Sequence, residues 1–260
     1  MQLSVVVITR NEERNIARCL ASVQGIADDI VVLDSFSTDG TERVAKALGA
    51  RFMQHAFDGH IEQKNRAITL ARFPWVLSLD ADEALSPALA ASILKAKERV
   101  DADGYTMNRL TNYCGTWVKH GGWYPDVKLR LWDSRKGRWT GINPHDRYEM
   151  DKEARIVHLE GDLLHYSYNT IDDHYRQVEY FTTIAARAYF DRGKRAPWVK
   201  RVFSPAVKFI GDYVLRLGFL DGAQGAVIAK VIREQLENPW LLDGLEKPPE
   251  GLAVQKCASA

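Results

Sequence analysis

Residues 77–83 read LSLDADE, an apolar run followed by three carboxylates within four positions: Asp80, Asp82 and Glu83. Charged groups are costly away from water, so acids that directly follow a buried segment need a turn or a ligand to explain them. Two carboxylates two residues apart at a strand end can share one hard cation and its waters. Mg²⁺ or Mn²⁺ held in this way usually also holds substrate phosphates. The plain alternative is that Asp80 and Asp82 merely start a turn. Lys64, within Gln63-Lys64-Asn65, would neutralise a diphosphate from the side opposite the metal; its plain alternative is a solvated helical lysine.

Two more polar strings follow apolar runs: Thr9-Arg10-Asn11-Glu12, and Asp34-Ser35-Phe36-Ser37-Thr38-Asp39-Gly40. Asp34 suits either a turn closed on its own backbone or a hydrogen bond from a base N–H or a ribose hydroxyl. Asp39 suits a helix N-cap. His165, in LLHYSY, reads either as a half-buried histidine satisfied by hydrogen bonds or as a third metal ligand or diphosphate contact, a role for which Glu83 competes.

The elements that must position these residues alternate over the first hundred positions. LSVVVIT (3–9), DIVVLD (29–34), RFMQH (51–55) and PWVLSLD (74–80) read as strands. Between them, Ile16, Leu20 and Val23 recur at helical spacing, Asp39 and Glu42 open a helix through Leu48, and 60–71 is helical in pattern. Ser86-Pro87 is an N-cap with proline at the first helical position, and that helix runs to about Val100. Such alternation predicts an α/β fold with a mainly parallel central sheet, in which ligands bind at the carboxyl ends of the strands. The three polar strings fall at such ends. After about residue 103, YTMNRLTNY, DVKLRLWD and the stretch to HYSY (165–168) read as short strands with Gly-rich turns, and from Thr170 onward the pattern is helical.

Composition narrows the classes. The 260 residues carry a net charge of +1, which gives no global attraction to nucleic acid, and 46% are hydrophobic, as in a globular chain. Cys19, Cys114 and Cys257 are an odd number at wide spacing, which argues against a disulfide framework or a zinc site and favours a reducing compartment. The start, MQLSVVVITRNEE, lacks the features of a signal peptide, and no run of about 18 uncharged apolar residues occurs, so the expected location is the cytoplasm.

SVVVITRNEE, IVVLDSFSTDGT and EQKNRAITLARFPWVLSLDADE together, in this order and spacing, resemble the family-2 glycosyltransferases with the GT-A fold. GGWYPDVKLRLW, the pair His145-Asp146, LLHYSY and GFLDG resemble the subgroup that builds bacterial lipopolysaccharide core, in particular the β-1,4-glucosyltransferases acting on core heptose. The resemblance implies a GT-A catalytic domain over 1–168, a helical extension over 169–241 that associates with membrane or with other copies, and a flexible tail over 242–260. It implies inverting transfer from a nucleotide-sugar, UDP-linked, to a saccharide or lipid-linked acceptor. By that analogy Thr9, Glu12 and Asp34 contact the nucleoside, with Arg10 in the same string; Asp80 binds ribose or metal, and Asp82 ligates the metal. Many members take the base from a Glu-Asp pair downstream, and this chain has no such pair there. Asp146 in NPHDRYE is the first candidate and Asp126 in WYPDVKLR the second.

Three further expectations concern the surface. Trp117, Trp123, Tyr124 and Trp132 suit an acceptor wall or a core, and Lys128 and Arg130 suit a phosphorylated acceptor or plain solvent. RGKRAPWVKR (192–201), followed by Val202, Phe203, Val207, Phe209, Ile210, Tyr213, Val214 and Leu217, suits either an anionic membrane surface at the inner face or a packed helix with a solvated basic turn. The competing functional classes are a phosphatase with an aspartyl nucleophile, a nucleotidyltransferase on the same sheet and metal, and a non-catalytic sugar-binding scaffold. ITRNEERN contains no glycine, whereas a nucleotidyltransferase would need a Gly-rich loop there.

Overall fold

A computed structural model describes residues 1–142, 145–191 and 198–236. Chain contacts divide the described residues into two compact units, one built from 1–109 and 126–167, the other from 110–125 and 168–236.

In the first unit the runs predicted as strands become β1 (Leu3–Thr9), β2 (Asp29–Asp34), β3 (Arg51–Gln54) and β4 (Trp75–Asp80), which lie parallel in the order β3-β2-β1-β4. Their crossovers carry α1 (Ile16–Val23), α2 (Thr41–Ala47) and α3 (His60–Thr69). The sheet continues past β4 through β8 (Asp126–Asp133), β6 (Gly104–Tyr113), β11 (Ile156–Tyr168) and β5 (Glu83–Leu85). The pairs β4·β8, β6·β8 and β11·β5 are antiparallel. The fold is therefore α/β, with a parallel half that carries the crossovers and an antiparallel half added beside β4.

Side-chain alternation sets the two faces. Val6, Val31, Leu33 and Val76 pack under Ala67 of α3. Leu3, Val5, Val7, Leu77 and Leu79 pack under Ile16, Leu20 and Val23 of α1 and under Leu89 and Ile93 of α4 (Pro87–Glu98). Asp80 has the parity of Val76 and so emerges on the α3 face. Ser86 caps α4 as its sequence predicts, accepting from Leu89 N at 3.2 Å. Asp39 acts one position earlier than a standard cap: its Oδ1 accepts from Thr41 N at 3.0 Å, and α2 begins at Thr41. The helix expected over 60–71 ends at Thr69.

A separate hairpin, β9 (Gly137–Ile142) with β10 (His145–Met150), docks against α3. Asn65 holds it with a reciprocal pair of bonds, Nδ2 to Trp139 O and Trp139 N to Oδ1, both 3.0 Å. Trp132, Trp139 and Tyr148 form its core, with Trp132 stacked on Tyr148 at 3.8 Å between ring centres. Trp132 is fully buried, which removes it from any acceptor wall.

The second unit contains β7 (Thr116–Val118), paired with Thr111–Tyr113 of β6, and the helices α5 (Ile171–Asp191), α6 (Trp198–Phe209) and α7 (Gly222–Leu236). Thr170 and Asp173 close a capping box at the start of α5. Trp123 packs edge-on with Tyr113, beside Tyr168 and His174. The predicted apolar run is largely exposed: Phe203, Val207, Ile210 and Val214, at helical spacing along one face, are each about half exposed or more. Of the basic stretch 192–201, residues 192–197 lie outside the described residues, as do the tail positions beyond 236. No helix among the described residues is long and apolar enough to cross a membrane.

Candidate active site

The carboxyl ends of β2, β1 and β4 lie side by side. Thr9 is in register with Asp34, and Ile8 with Asp80. Asp34 and Asp80 thus flank β1, about 10 Å apart at two strand spacings. The strand order turns at β1, with β2 on one side and β4 on the other, and such a switch point opens a ligand crevice.

The β4 side of this switch point is a buried charge network. Lys64 Nζ lies 2.8 Å from Asp146 Oδ2 and 3.3 Å from Asp80 Oδ1, with its ammonium 4.6 Å from the centre of the Trp139 ring. Arg130 Nη2 reaches Asp80 Oδ2 at 2.8 Å and Glu83 Oε1 at 2.6 Å. Arg109 lies 3.6 Å from Glu83 and 2.8 Å from Asp126, which also pairs with Lys128 at 2.9 Å. From Asp146 to Lys128 the charges alternate without a break. Burial alone would raise the Asp80 pKa, but Lys64 and Arg130 outweigh it and hold the carboxyl well below the usual range.

Glu83 gains a role that its sequence did not disclose. Besides its arginines, its Oε2 accepts from Asp80 N at 3.0 Å and so closes the LDADE turn from within. Arg109 is the neighbour that local sequence reasoning missed, and Arg130, expected at a phosphorylated acceptor or in solvent, is instead buried between Asp80 and Glu83. The signal that points to them is charge balance, because three acids beside a buried strand require cations.

Asp82 stands apart from this network. It is buried, and its Oδ2 lies 3.2 Å from His165 Nε2. His165 sits opposite Glu83 in the β11·β5 pairing, and Tyr166 N donates to Asp82 O at 2.9 Å, so the strand register brings ring and carboxylate together. Ser167 Oγ lies 2.9 Å from His165 Nδ1. Asp82 Oδ1 is buried with no hydrogen-bond partner among the described residues, and Asp80 Oδ1 has only the ion pair with Lys64. Asp82 Oδ1, with an imidazole beside its carboxylate, is a hard-cation donor that fits Mg²⁺ or Mn²⁺, and Asp80 Oδ1 would share such an ion only by loosening its ion pair with Lys64. Among the described residues no group of three or more His, Cys, Asp or Glu converges to hold a metal by itself.

The β1–β2 side is built differently. Asp34 is fully buried and already accepts from Ser37 N at 2.8 Å, Ser37 Oγ, and Gln54 Nε2 at 3.3 Å, so it organises its own loop. Glu12 accepts from Asn15 Nδ2 at 2.8 Å, and its N–H donates to Thr41 Oγ1 at 2.8 Å, which ties α1 to α2. Thr9 Oγ1 is buried with no hydrogen-bond partner among the described residues, and Arg10 is half-buried beside it. Gln63, one residue before Lys64, donates to Ser35 Oγ at 3.0 Å and thereby links the two sides.

The two base candidates differ in their surroundings. Asp146 has Lys64 as its cation. Asp126 is contacted by both Arg109 and Lys128; burial pushes its pKa up, but these cations hold it below the usual carboxylate range.

An acid pair and a buried lysine gathered at the switch point of a mainly parallel sheet place the candidate site where α/β enzymes bind their ligands. The glycosyl transferase family 2 profile matches residues 4–151, and the chain belongs to that family of glycosyltransferases. An uncharacterized glycosyltransferase of Rickettsia conorii is 41% identical over 87% of this chain and 84% of its own length. The lipopolysaccharide core biosynthesis glycosyltransferase LpsC of Rhizobium meliloti is 28% identical over 88% of this chain and 89% of its own. A crystal structure of glucosyl-3-phosphoglycerate synthase from Mycobacterium tuberculosis with Mn²⁺, UDP and glucosyl-3-phosphoglycerate is 24% identical, with a TM-score of 0.37 over 43% of this chain and 44% of that one.

Proposed function

We propose that this glycosyltransferase moves a hexose, glucose in the simplest reading, from a UDP-linked donor to a saccharide in the heptose region of lipopolysaccharide core, with inversion and with a divalent metal. The likeness to LpsC supports the acceptor class. The observation that carries the chemistry is the placement of Lys64, Asp80 and Asp82 at one end of β4, one strand from the loop after β1 and two from the loop after β2.

Thr9, Arg10, Glu12 and Asp34 shape the nucleoside end, and Lys64 faces the diphosphate. Asp82, with Asp80 and His165 beside it, would hold Mg²⁺ or Mn²⁺, and the bound ion supplies Lewis-acid stabilisation of the leaving diphosphate. The acceptor hydroxyl oxygen attacks the anomeric carbon as the bond to the diphosphate breaks, and a carboxylate takes the hydroxyl proton. Asp146 is that base in this reading, because its contact with Lys64 is one that a diphosphate competes for. Asp126, paired with two cations, is the weaker proton acceptor. A cytoplasmic enzyme working on a lipid-linked acceptor would meet the inner membrane face, and the exposed apolar face of α6 suits such contact. Salt-sensitive co-sedimentation with anionic vesicles checks that part.

The main test incubates the protein with a panel of nucleotide-sugars, with and without Mn²⁺ or Mg²⁺, and measures nucleoside diphosphate release. Slow, metal-dependent release from one donor, lost in Asp82→Ala, is expected. Equal release after chelation sinks the metal assignment, and no release from any donor sinks the donor reading. Asp146→Asn should retain donor binding and lose transfer.

A further inference from the structure

Phe36 has an unusual backbone. Its φ is +57°, in the left-handed region that bulky residues avoid. The loop around it explains the angle. Asp34 pulls the chain back by accepting from both Ser37 N and Ser37 Oγ. The neighbouring loop then locks it: Asn11 N donates to Ser37 Oγ at 2.7 Å, and Thr38 N donates to Asn11 Oδ1 at 2.8 Å. Asn11 shares the same φ of +57°. Asparagine tolerates that region, whereas phenylalanine does not. Glycine would suit position 36 best.

The ring does not offset this strain by packing, because Phe36 is 56% exposed. A strained, solvent-exposed aromatic side chain on a braced loop has the marks of a ligand contact. Its place identifies the ligand. Phe36 lies two residues past the end of β2, at the nucleoside end of the crevice, about two strand spacings from the acids at the diphosphate end. The transferred sugar lies beyond the diphosphate, on the far side from the nucleoside. A flat apolar face at this end therefore meets the base.

We infer that Phe36 is a stacking platform for the nucleobase of the donor and helps set donor affinity. Every base has a π-face, so the stack supplies affinity and orientation, while polar groups of the loop distinguish bases. The inference rests on the nucleotide-sugar reading proposed above, and its test separates the two.

Titration calorimetry with UDP, ADP, GDP, CDP and TDP, each with Mg²⁺, is run on the wild type, Phe36→Gly, Phe36→Ala and Phe36→Trp, with pyrophosphate as a probe that lacks a base. Thermal melts accompany each variant. The stack predicts that Phe36→Gly melts at or above the wild-type temperature, because the left-handed angle is relieved. It also predicts that Phe36→Gly and Phe36→Ala bind the preferred nucleotide roughly 5- to 150-fold more weakly. Pyrophosphate binding should not change, Phe36→Trp should retain nucleotide affinity, and in turnover KM for the donor should rise with little change in kcat. A wild type that binds none of the five nucleotides overturns the donor reading itself. A wild type that binds one, with Phe36→Gly unchanged, overturns the stack alone. A fall in melting temperature in Phe36→Gly with unchanged nucleotide affinity gives the ring a packing role and also overturns it.

Discussion

Arg130→Met tests the charge network most directly. The guanidinium is buried, and it lies 2.8 Å from Asp80 and 2.6 Å from Glu83, two acids that are themselves buried. Methionine fills much of the volume but leaves both carboxylates short of a cation. Removing one partner of a buried ion pair costs about 3–5 kcal/mol, because the other charge stays desolvated. Each acid retains a longer contact, Asp80 to Lys64 at 3.3 Å and Glu83 to Arg109 at 3.6 Å, which places the loss near the lower end, about 3 kcal/mol. For a chain of this size, that lowers Tm by about 6–12 °C.

The loss also carries a pH signature. In the wild type the cations hold the Asp80 carboxyl below its unfolded value of about 3.9. A depressed carboxylate adds stability that is present above the unfolded pKa and lost as pH falls through the folded one. Arg130→Met removes much of that depression, so the gap to wild type is widest near neutral pH and narrows as pH falls below about 4. Urea unfolding followed by tryptophan fluorescence at several pH values measures it. The double variant Arg130→Met with Glu83→Gln should recover part of the loss, since one of the two stranded charges is gone. A loss below about 1 kcal/mol at neutral pH, or one that does not change with pH, refutes the reasoning.

Two further outcomes are expected. Burial lowers the His174 pKa to about 4, so stability should fall as pH drops from about 6.5 toward that value, by up to about 3 kcal/mol, and His174→Phe should flatten the trend in a urea titration. Gly161 has φ +96°, and a Cβ there would meet Leu89 N at 2.3 Å, so Gly161→Ala should cost at least about 1–2 kcal/mol, read as a drop in Tm, because β11 can no longer approach α4.

The parallel half of the fold was legible because its signals are local. LSVVVIT and DIVVLD announce themselves by β-branching, Ser86-Pro87 by capping chemistry, and the acids by their place after apolar runs. The closeness of Lys64 to Asp80 was legible because Gln63-Lys64-Asn65 lies one helix before the strand that carries Asp80. The structure gives the three residues three partners: Ser35, the Asp80–Asp146 pair and the Trp139 backbone. Arg130 was harder. In DVKLRLWD it alternates with apolar residues and resembles a solvent face, and only the antiparallel insertion of β8 beside β4 turns that face toward Asp80. Nothing within ten residues of Arg130 encodes that neighbour, which lies 50 positions away. Trp132 misleads for the same reason: its composition suits a sugar platform, and its burial depends on a hairpin folded from later sequence.

The network also explains why Asp80 and Asp82, two residues apart, do different work. Asp80 is compensated from both sides by fixed cations, Lys64 and Arg130, so added positive charge there would meet two like charges at close range. Among the described residues Asp82 is paired with the His165 imidazole and with no lysine or arginine, and one of its buried oxygens takes no hydrogen bond from them. In the low-dielectric crevice the surplus of negative potential therefore falls at Asp82, which is where a divalent ion gains most. A diphosphate brought in by that ion would then draw on Lys64, the cation whose other partner is Asp146. In the proposed reading, donor binding and release of Asp146 would thus share one ammonium group, and the 2.8 Å contact between Lys64 and Asp146 is the one that a donor diphosphate would compete to break.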